Sequence, residues 1–304
     1  MKILLAEHSG FCFGVRRAVQ MALDAKNEDG DVCTMGELIH NPQVVNELAR
    51  QGIEVCENIR DIRNKTVVIR SHGISKNEFQ TLRDSENKII DATCPYVKRA
   101  QELVASNSQE HILIMGDPAH PEVRGMLSYG GKFTQVVPPQ GELPVQNWKK
   151  LFLISQTTQK LSNLQDLVCH ALPRVLELTV FNTICSATTL RQESALALAG
   201  ISELMFVIGG RNSSNTRMLQ QLCSSQTKSV HIETEAEIDP ALLSTTQNIG
   251  LAAGASTPAE AIIRVFNKIK KIKGEAGTAR QIEDIPLFKE ESCRNMMKTK
   301  PQPA

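Results

Sequence analysis

Three of the eight cysteines, Cys12, Cys94 and Cys185, share one sequence context. Each follows an apolar, strand-like run (KILLA, NKIIDAT, LTVFNTI) and precedes a stretch with helical periodicity (GVRRAVQMALDA, PYVKRAQELVA, SATTLRQESALALA). A thiol on such a turn stands at a helix N-terminus, where the dipole and the open N–H groups favour the thiolate. Pro95, directly after Cys94, suits the first turn of that helix. The chain has no CxxC pair, which excludes compact zinc-finger and thioredoxin-like readings. Three thiolates with no fourth in phase suggest a metal site with one position open. Zinc accepts three protein ligands plus water. A 4Fe-4S cluster held by three cysteines leaves one iron for substrate. A soft, all-thiolate set without an in-phase histidine favours the cluster over catalytic zinc. Cys33, Cys56, Cys169, Cys223 and Cys293 lie in or beside strands, on helical stretches or in the tail, and read as small apolar groups.

The turn cysteines are spaced by 82 and 91 residues, the scale of a small α/β unit, and other features recur in phase with them. A polar loop follows after 28, 26 and 28 residues: His40 in GELIHNP, His120 in GDPAHPEV and Ser213 in GGRNSSNT. A second follows after 60, 63 and 71 residues: His72 in VVIRSHGI, Thr157 in LFLISQTT and Ser256 in GLAAGAST. Most come straight after a strand-like run, and open α/β sheets bind ligands just beyond the carboxyl ends of their strands. GGRNSSNTRMLQQL leads from a Gly-bearing turn into a helix, so its backbone N–H groups can hold an anion. It lacks the GxxxxGK[ST] pattern that would indicate a nucleotide, and Ser213, Ser214 or Asn215 also suits a plain helix cap. Together the three histidines and the Ser/Asn loops make an anion pocket near the metal. Glu122 stands two residues after His120. Near an anion and a reduced metal its carboxyl would be pushed toward protonation, which suits a general acid.

The elements that position these residues must fit into 304 residues, 41% of them hydrophobic, enough for two or three domains. The repeat phase favours three. The expected class is α/β, with small units at 13–94, 95–185 and 186–273, the strand within 1–12 completing the third, and a tail at 274–304. VVPPQGELPVQN reads as a Pro-rich loop inside the second unit. The last helix, PAEAIIRVFNKIKKIK, is expected to start with Thr257 as N-cap, Pro258 in the first turn and Glu260 closing a capping box. KTKPQPA reads as a disordered end. With 34 Lys+Arg against 33 Asp+Glu the chain has no electrostatic footprint for nucleic acid. It also lacks the run of roughly 18 apolar residues that spans a bilayer. MKILLAEHSG reads as a strand, not as a signal or transit peptide. The expected location is the reducing cytoplasm, where eight cysteines would not form a disulfide framework.

Nine motifs, GFCFGVRRA, GELIHNP, IRSHGI, DATCPYV, HPEVRG, SQTT, TICSATTLRQ, NSSNT and AGASTP, run in order from Met1 to about Lys273. Together they resemble the 4-hydroxy-3-methylbut-2-enyl diphosphate reductases of the methylerythritol phosphate route to isoprenoids. The resemblance implies three pseudo-threefold-related α/β domains in a trefoil around one 4Fe-4S cluster held by Cys12, Cys94 and Cys185. It implies that His40, His72, His120, Thr157, Ser213, Ser214, Asn215 and Ser256 hold the diphosphate of a small allylic substrate. Glu122 would be the proton donor, relayed by Thr157 or by the diphosphate itself. The implied reaction removes the C4 hydroxyl with two electrons and protons, giving isopentenyl and dimethylallyl diphosphates, with the open iron as Lewis acid. Ser186 stands where members of that family often carry an acidic residue. A ferredoxin or flavodoxin is the implied electron donor, and the basic FNKIKKIK stretch suits either such a partner or a solvated helix face.

Other readings predict different features. A quinolinate-synthase-like cluster enzyme would need Arg or Lys for carboxylates in place of the NSSN and histidine loops. A non-catalytic iron–sulfur sensor or carrier would need no anion pocket. A three-cysteine zinc hydrolase would contain zinc without sulfide.

Overall fold

A computed structural model describes residues 2–274. Cys293 and the KTKPQPA end lie outside the described residues. The chain opens with β1 (Lys2–Leu5) and α1 (Phe13–Asp29). It continues through β2 (Val32–Met35), α2 (Pro42–Arg50), β3 (Ile53–Cys56), β4 (Thr66–Ile69), α3 (Lys76–Asp84) and β5 (Lys88–Asp91). Next come α4 (Pro95–Ser106), β6 (Ile112–Met115), α5 (Pro121–Tyr129), β7 (Thr134–Val137), β8 (Trp148–Ser155), α6 (Leu161–Ala171) and β9 (Val175–Phe181). The last elements are α7 (Ser186–Ala199), β10 (Leu204–Ile208), α8 (Ser214–Ser224), β11 (Lys228–Ile232), β12 (Asn248–Ala253) and α9 (Ala259–Ile272).

The strands form three four-stranded sheets, ordered β3-β2-β4-β5, β7-β6-β8-β9 and β1-β12-β10-β11, with every pairing parallel. The fold is therefore α/β, built three times on one strand order. The opening strand supplies the fourth strand of the third sheet, with Ile3 opposite Ile249. A parallel sheet covered on both faces needs central strands that are apolar throughout. The runs Ile112–Met115 and Leu204–Ile208 meet this requirement, being buried along their whole length. Packing divides the chain into two compact units. Gly14–Thr189 holds the first two sheets, and the third belongs to Met1–Phe13 together with the chain from Leu190 onward. Ile114, Val123 and Met126 fill one face of the second sheet, and Phe206, Leu251 and Val265 fill one face of the third. No helix among the described residues is long and apolar enough to cross a membrane.

The shared strand order fixes where the loops fall. In the first two sheets the chain leaves its first strand toward one edge and its third toward the other; in the third sheet β10 leads to the β11 edge while β12 lies beside β1, so in all three a crevice opens between the two central strands. The loops at these points follow β2 and β4, β6 and β8, and β10 and β12, and each carries one of the polar motifs.

One expected local feature is absent. Helix α9 is preceded by Pro258 and has no side-chain cap. The Thr257 hydroxyl instead donates to the Ile208 carbonyl at 2.8 Å, so the capping box with Glu260 does not form. A fully buried hydroxyl must find a partner, and here the carbonyl that ends the neighbouring strand accepts it alongside the Gly254 N–H.

Candidate functional site

In the Gly14–Thr189 unit the loops after β2, β4 and β6 bring His40, His72 and His120 together. Ser71 joins the first two loops, its N–H and its hydroxyl both donating to the Leu38 carbonyl at 3.1 Å. Close approach also requires Gly36, which has φ +69°; a Cβ there would lie 2.7 Å from Arg70 Nη1. The His40 and His72 rings stack at 4.0 Å between centroids and 26° between planes. His120 meets both edge-on, at 5.3 and 5.5 Å. One nitrogen from each ring falls within a set whose members all lie within 4.8 Å of one another. A set this compact can hold a cation through nitrogen lone pairs or an anion through N–H groups.

The charge state bears on that choice. Burial holds His72 well below its ordinary value of 6.5, and His40, His120 and Arg70 add to the effect, so the ring is neutral at pH 7. Its Nδ1 is buried with no hydrogen-bond partner among the described residues. His120 caps α5 through Nδ1, which accepts the Glu122 N–H at 3.2 Å. A neutral His120 therefore carries its hydrogen on Nε2. Glu37 Oε2 lies 3.6 Å from His40 Nδ1.

Glu122 is in the first turn of α5 and is 1% exposed. The Thr157 N–H donates to its Oε1 at 2.7 Å, and its Oε2 is 2.9 Å from the Thr157 hydroxyl. Burial pushes its pKa up to about 7, against the lowering effect of the two Thr157 contacts. Sequence reasoning missed the support beneath this pair. Gln156, fully buried, accepts the Asp117 N–H at 3.0 Å through Oε1 and donates to Thr158 at 3.1 Å through Nε2. It thereby ties the loop after β6 to the loop after β8. The only signal was its place inside the SQTT motif.

All three turn cysteines lie directly before a helix, α1, α4 and α7, and all are partly buried. Each backbone N–H donates into the second polar loop of the same sheet. Cys94 binds the Ser71 carbonyl at 2.9 Å, Cys185 binds Thr157 at 3.0 Å, and Cys12 binds Ala255 at 3.1 Å. Cys94, Cys185, the three histidines, Glu122 and Thr157 belong to the Gly14–Thr189 unit.

Cys12, Ser213, Ser214, Asn215 and Ser256 belong to the other unit. Ser213 caps α8, accepting the Thr216 N–H at 3.3 Å, so the cap reading holds for this residue. Ser214 and Asn215 occupy the first turn and are buried. The Asn215 amide is orphaned: neither Oδ1 nor Nδ2 has a partner among the described residues. Ser256 is buried in the loop after β12. Gly254, at the start of that loop, leaves room for Thr216, whose Oγ1 would lie 2.0 Å from an added Cβ.

A 4-hydroxy-3-methylbut-2-enyl diphosphate reductase from Pelobacter propionicus is 44% identical over 278 residues, 90% of this chain and 99% of that protein. A solved (E)-4-hydroxy-3-methyl-but-2-enyl diphosphate reductase, described as the terminal enzyme of the non-mevalonate pathway, is 37% identical. It covers 89% of this chain and 99% of its own, with a TM-score of 0.65. The structure of the E-1-hydroxy-2-methyl-but-2-enyl-4-diphosphate reductase from Plasmodium falciparum shares the fold at a TM-score of 0.81 and 24% identity, covering 97% of this chain and 98% of its own. The LytB protein family matches residues 3–270, and with relatives this similar along almost their whole length the chain belongs to that family.

Proposed function

We propose that this chain reduces (E)-4-hydroxy-3-methylbut-2-enyl diphosphate to isopentenyl and dimethylallyl diphosphates, the last step of the methylerythritol phosphate route. The relatives carry the name of this enzyme over nearly their full length. The observation that carries the chemistry is Glu122, a buried carboxyl raised to about 7 and bonded to Thr157 beside the histidine cluster. The reaction consumes two electrons and two protons, breaks the C4–O bond and releases the oxygen as water.

Hydroxide is a poor leaving group, so the oxygen must be protonated as it departs. The Thr157 N–H can only donate, which keeps Glu122 Oε1 an acceptor and puts the carboxyl proton on Oε2. The Thr157 hydroxyl donates to Oε2 while the carboxyl is ionised; once Oε2 carries the proton it gives it to Oγ1, and the threonine's own hydrogen turns onward. The diphosphate is held by His40, His72, His120, Thr157, Ser213, Ser214, Asn215 and Ser256. The orphaned Asn215 amide and the partnerless Nδ1 of His72 support this set, because a buried polar atom without a partner is costly until a ligand supplies one.

One 4Fe-4S cluster is assigned to Cys12, Cys94 and Cys185. All three stand directly before a helix and are only partly buried, whereas Cys33 and Cys223 are buried, which pushes their thiols up to about 12 and about 11. When bound, the cluster supplies electrons singly and, at an iron without a cysteine, a Lewis acid for the hydroxyl oxygen. A ferredoxin or flavodoxin delivers the electrons, and the enzyme works in the cytoplasm. The three sheets are assigned to three domains at 13–94, 95–185 and 186–273 with 1–12.

The test is anaerobic purification, iron and sulfide analysis, then addition of the substrate with a chemical reductant. The expected result is a cluster spectrum that shifts with substrate and the appearance of both isoprenoid products. Stoichiometric zinc without turnover would overturn the assignment.

A further inference from the structure

The helix that begins after each turn cysteine sends one polar side chain to the turn of a different cysteine. On α1, after Cys12, Arg17 donates from Nη1 to the Thr93 carbonyl at 3.2 Å and from Nη2 to the Asp91 carbonyl at 3.4 Å. Thr93 immediately precedes Cys94. On α4, after Cys94, the Tyr96 hydroxyl lies 3.3 Å from that of Ser186, the residue after Cys185. On α7, after Cys185, Arg191 donates from Nη2 to the Gly10 carbonyl at 2.9 Å. Gly10 stands two residues before Cys12 and has φ +88°. Each bond lies within one of the two compact units.

These bonds differ from ordinary surface contacts. Arg191 is 5% exposed, and its bond to Gly10 joins residues 181 apart in sequence. Arg17 is partly buried and spends two donors of its planar fork on successive turn carbonyls. A buried guanidinium is expensive to desolvate, and its hydrogen bonds to a carbonyl fix that carbonyl's direction. The Tyr96–Ser186 pair is exposed and is the weakest of the three. Each cysteine turn is thus held twice: through its own N–H by a carbonyl in the second polar loop of its sheet, and through a flanking residue by the helix of another cysteine.

We propose that Arg17 and Arg191, helped by Tyr96, are positioning residues that preset the three cysteine turns for cluster capture and retention. This rests on the assignment of the cluster to Cys12, Cys94 and Cys185. Neither arginine need touch the cluster. Each acts by orienting backbone beside a cysteine, as supporting residues orient the ligands of other metal sites.

The test uses the full chain, reconstituted anaerobically with iron, sulfide and a thiol reductant. Iron and sulfide per chain and the rate of iron release to a chelator are read for wild type, Arg17→Ala, Arg17→Lys, Arg191→Ala, Arg191→Lys and Tyr96→Phe. Far-UV circular dichroism and the melting temperature of the metal-free proteins are read in parallel. Both alanine variants are expected to keep the wild-type spectrum and to release iron about 10-fold faster or more, the usual effect of removing a supporting group. Lysine can still reach the Gly10 carbonyl at position 191 and should restore retention there. It should restore less at position 17, where a fork spans two. Tyr96→Phe should have the smallest effect. Should the alanine variants lose their fold, Arg17→Lys decides. Release rates equal to wild type in the folded alanine variants, or in Arg17→Lys where the alanine variants do not fold, overturn the proposal. A wild-type chain that takes up no iron and sulfide instead overturns the cluster assignment beneath it.

Discussion

At the scale of single residues, the site turns on groups whose environment works against their own chemistry. Glu122 is 1% exposed, and its carboxyl is held near neutrality at about 7. Glu122→Gln keeps the shape and an acceptor for the Thr157 N–H but has no proton to give. Cluster content and substrate affinity should stay near wild type while turnover falls about 100-fold or more, the lower range of general-acid catalysis. A near-wild-type kcat would remove Glu122 from the role. Asn215 shows the complementary case. Its buried amide has no partner among the described residues, a state that costs about 1–3 kcal/mol. Asn215→Leu, close in shape, should leave the melting temperature of the ligand-free protein unchanged or higher while raising KM about 10-fold. A variant that melts lower and binds substrate normally would mean that the amide serves the fold.

At the scale of elements, the caps are part of the site. Asn41 caps α2, accepting the N–H groups of Gln43 at 3.0 Å and Val44 at 3.3 Å, and it follows His40 directly. Asn41→Ala should cost about 1 kcal/mol in urea unfolding with an unchanged m-value. Because the same backbone carries His40, KM should rise as well. A loss of stability without a change in KM would show that helix and ligand loop are uncoupled. These local units were legible in the sequence because each is written in a short stretch: an apolar run, a Cys or His on the turn, then a stretch with helical periodicity, opened by Pro at α2, α4 and α5. The repeat phase added the two loops per sheet, which fall at the reversal of strand order. What stayed illegible depends on partners remote in sequence. Thr257 looked like a cap but is claimed by Ile208, 49 residues away. Arg17 and Arg191 drew no notice in the sequence, because their acceptors lie 76 and 181 residues away. Spacing rules describe one helix or strand at a time and carry no information about such bonds.

Across the whole molecule, 34 basic residues nearly cancel 33 acidic ones, so no long-range field gathers an anionic substrate and the attraction must be made locally. The same unit holds His72, kept neutral by burial, and the Glu122 carboxyl, raised toward protonation, and the two oppose each other in the dependence of stability on pH. Glu122 has a folded value raised from 4.5 to about 7, so the folded state binds the extra proton and stability falls as pH rises across that window. His72 has a folded value well below 6.5, so the unfolded state binds the extra proton and stability falls as pH drops below 6.5. Between about pH 4.5 and 6.5 these slopes have opposite signs, and the wild-type contribution from the pair is flattened. Single variants should separate them. Glu122→Gln leaves the His72 slope alone, and its stability should climb as pH rises from 5 to 6.5. His72→Asn leaves the Glu122 slope alone, and its stability should decline by about 3 kcal/mol between pH 4.5 and 7, from the free energy of one pKa unit. Urea unfolding of the metal-free, ligand-free proteins at four or five pH values measures both. If Glu122→Gln has the same profile as wild type, the carboxyl is ionised in the folded protein throughout this range and is not the group that holds the proton.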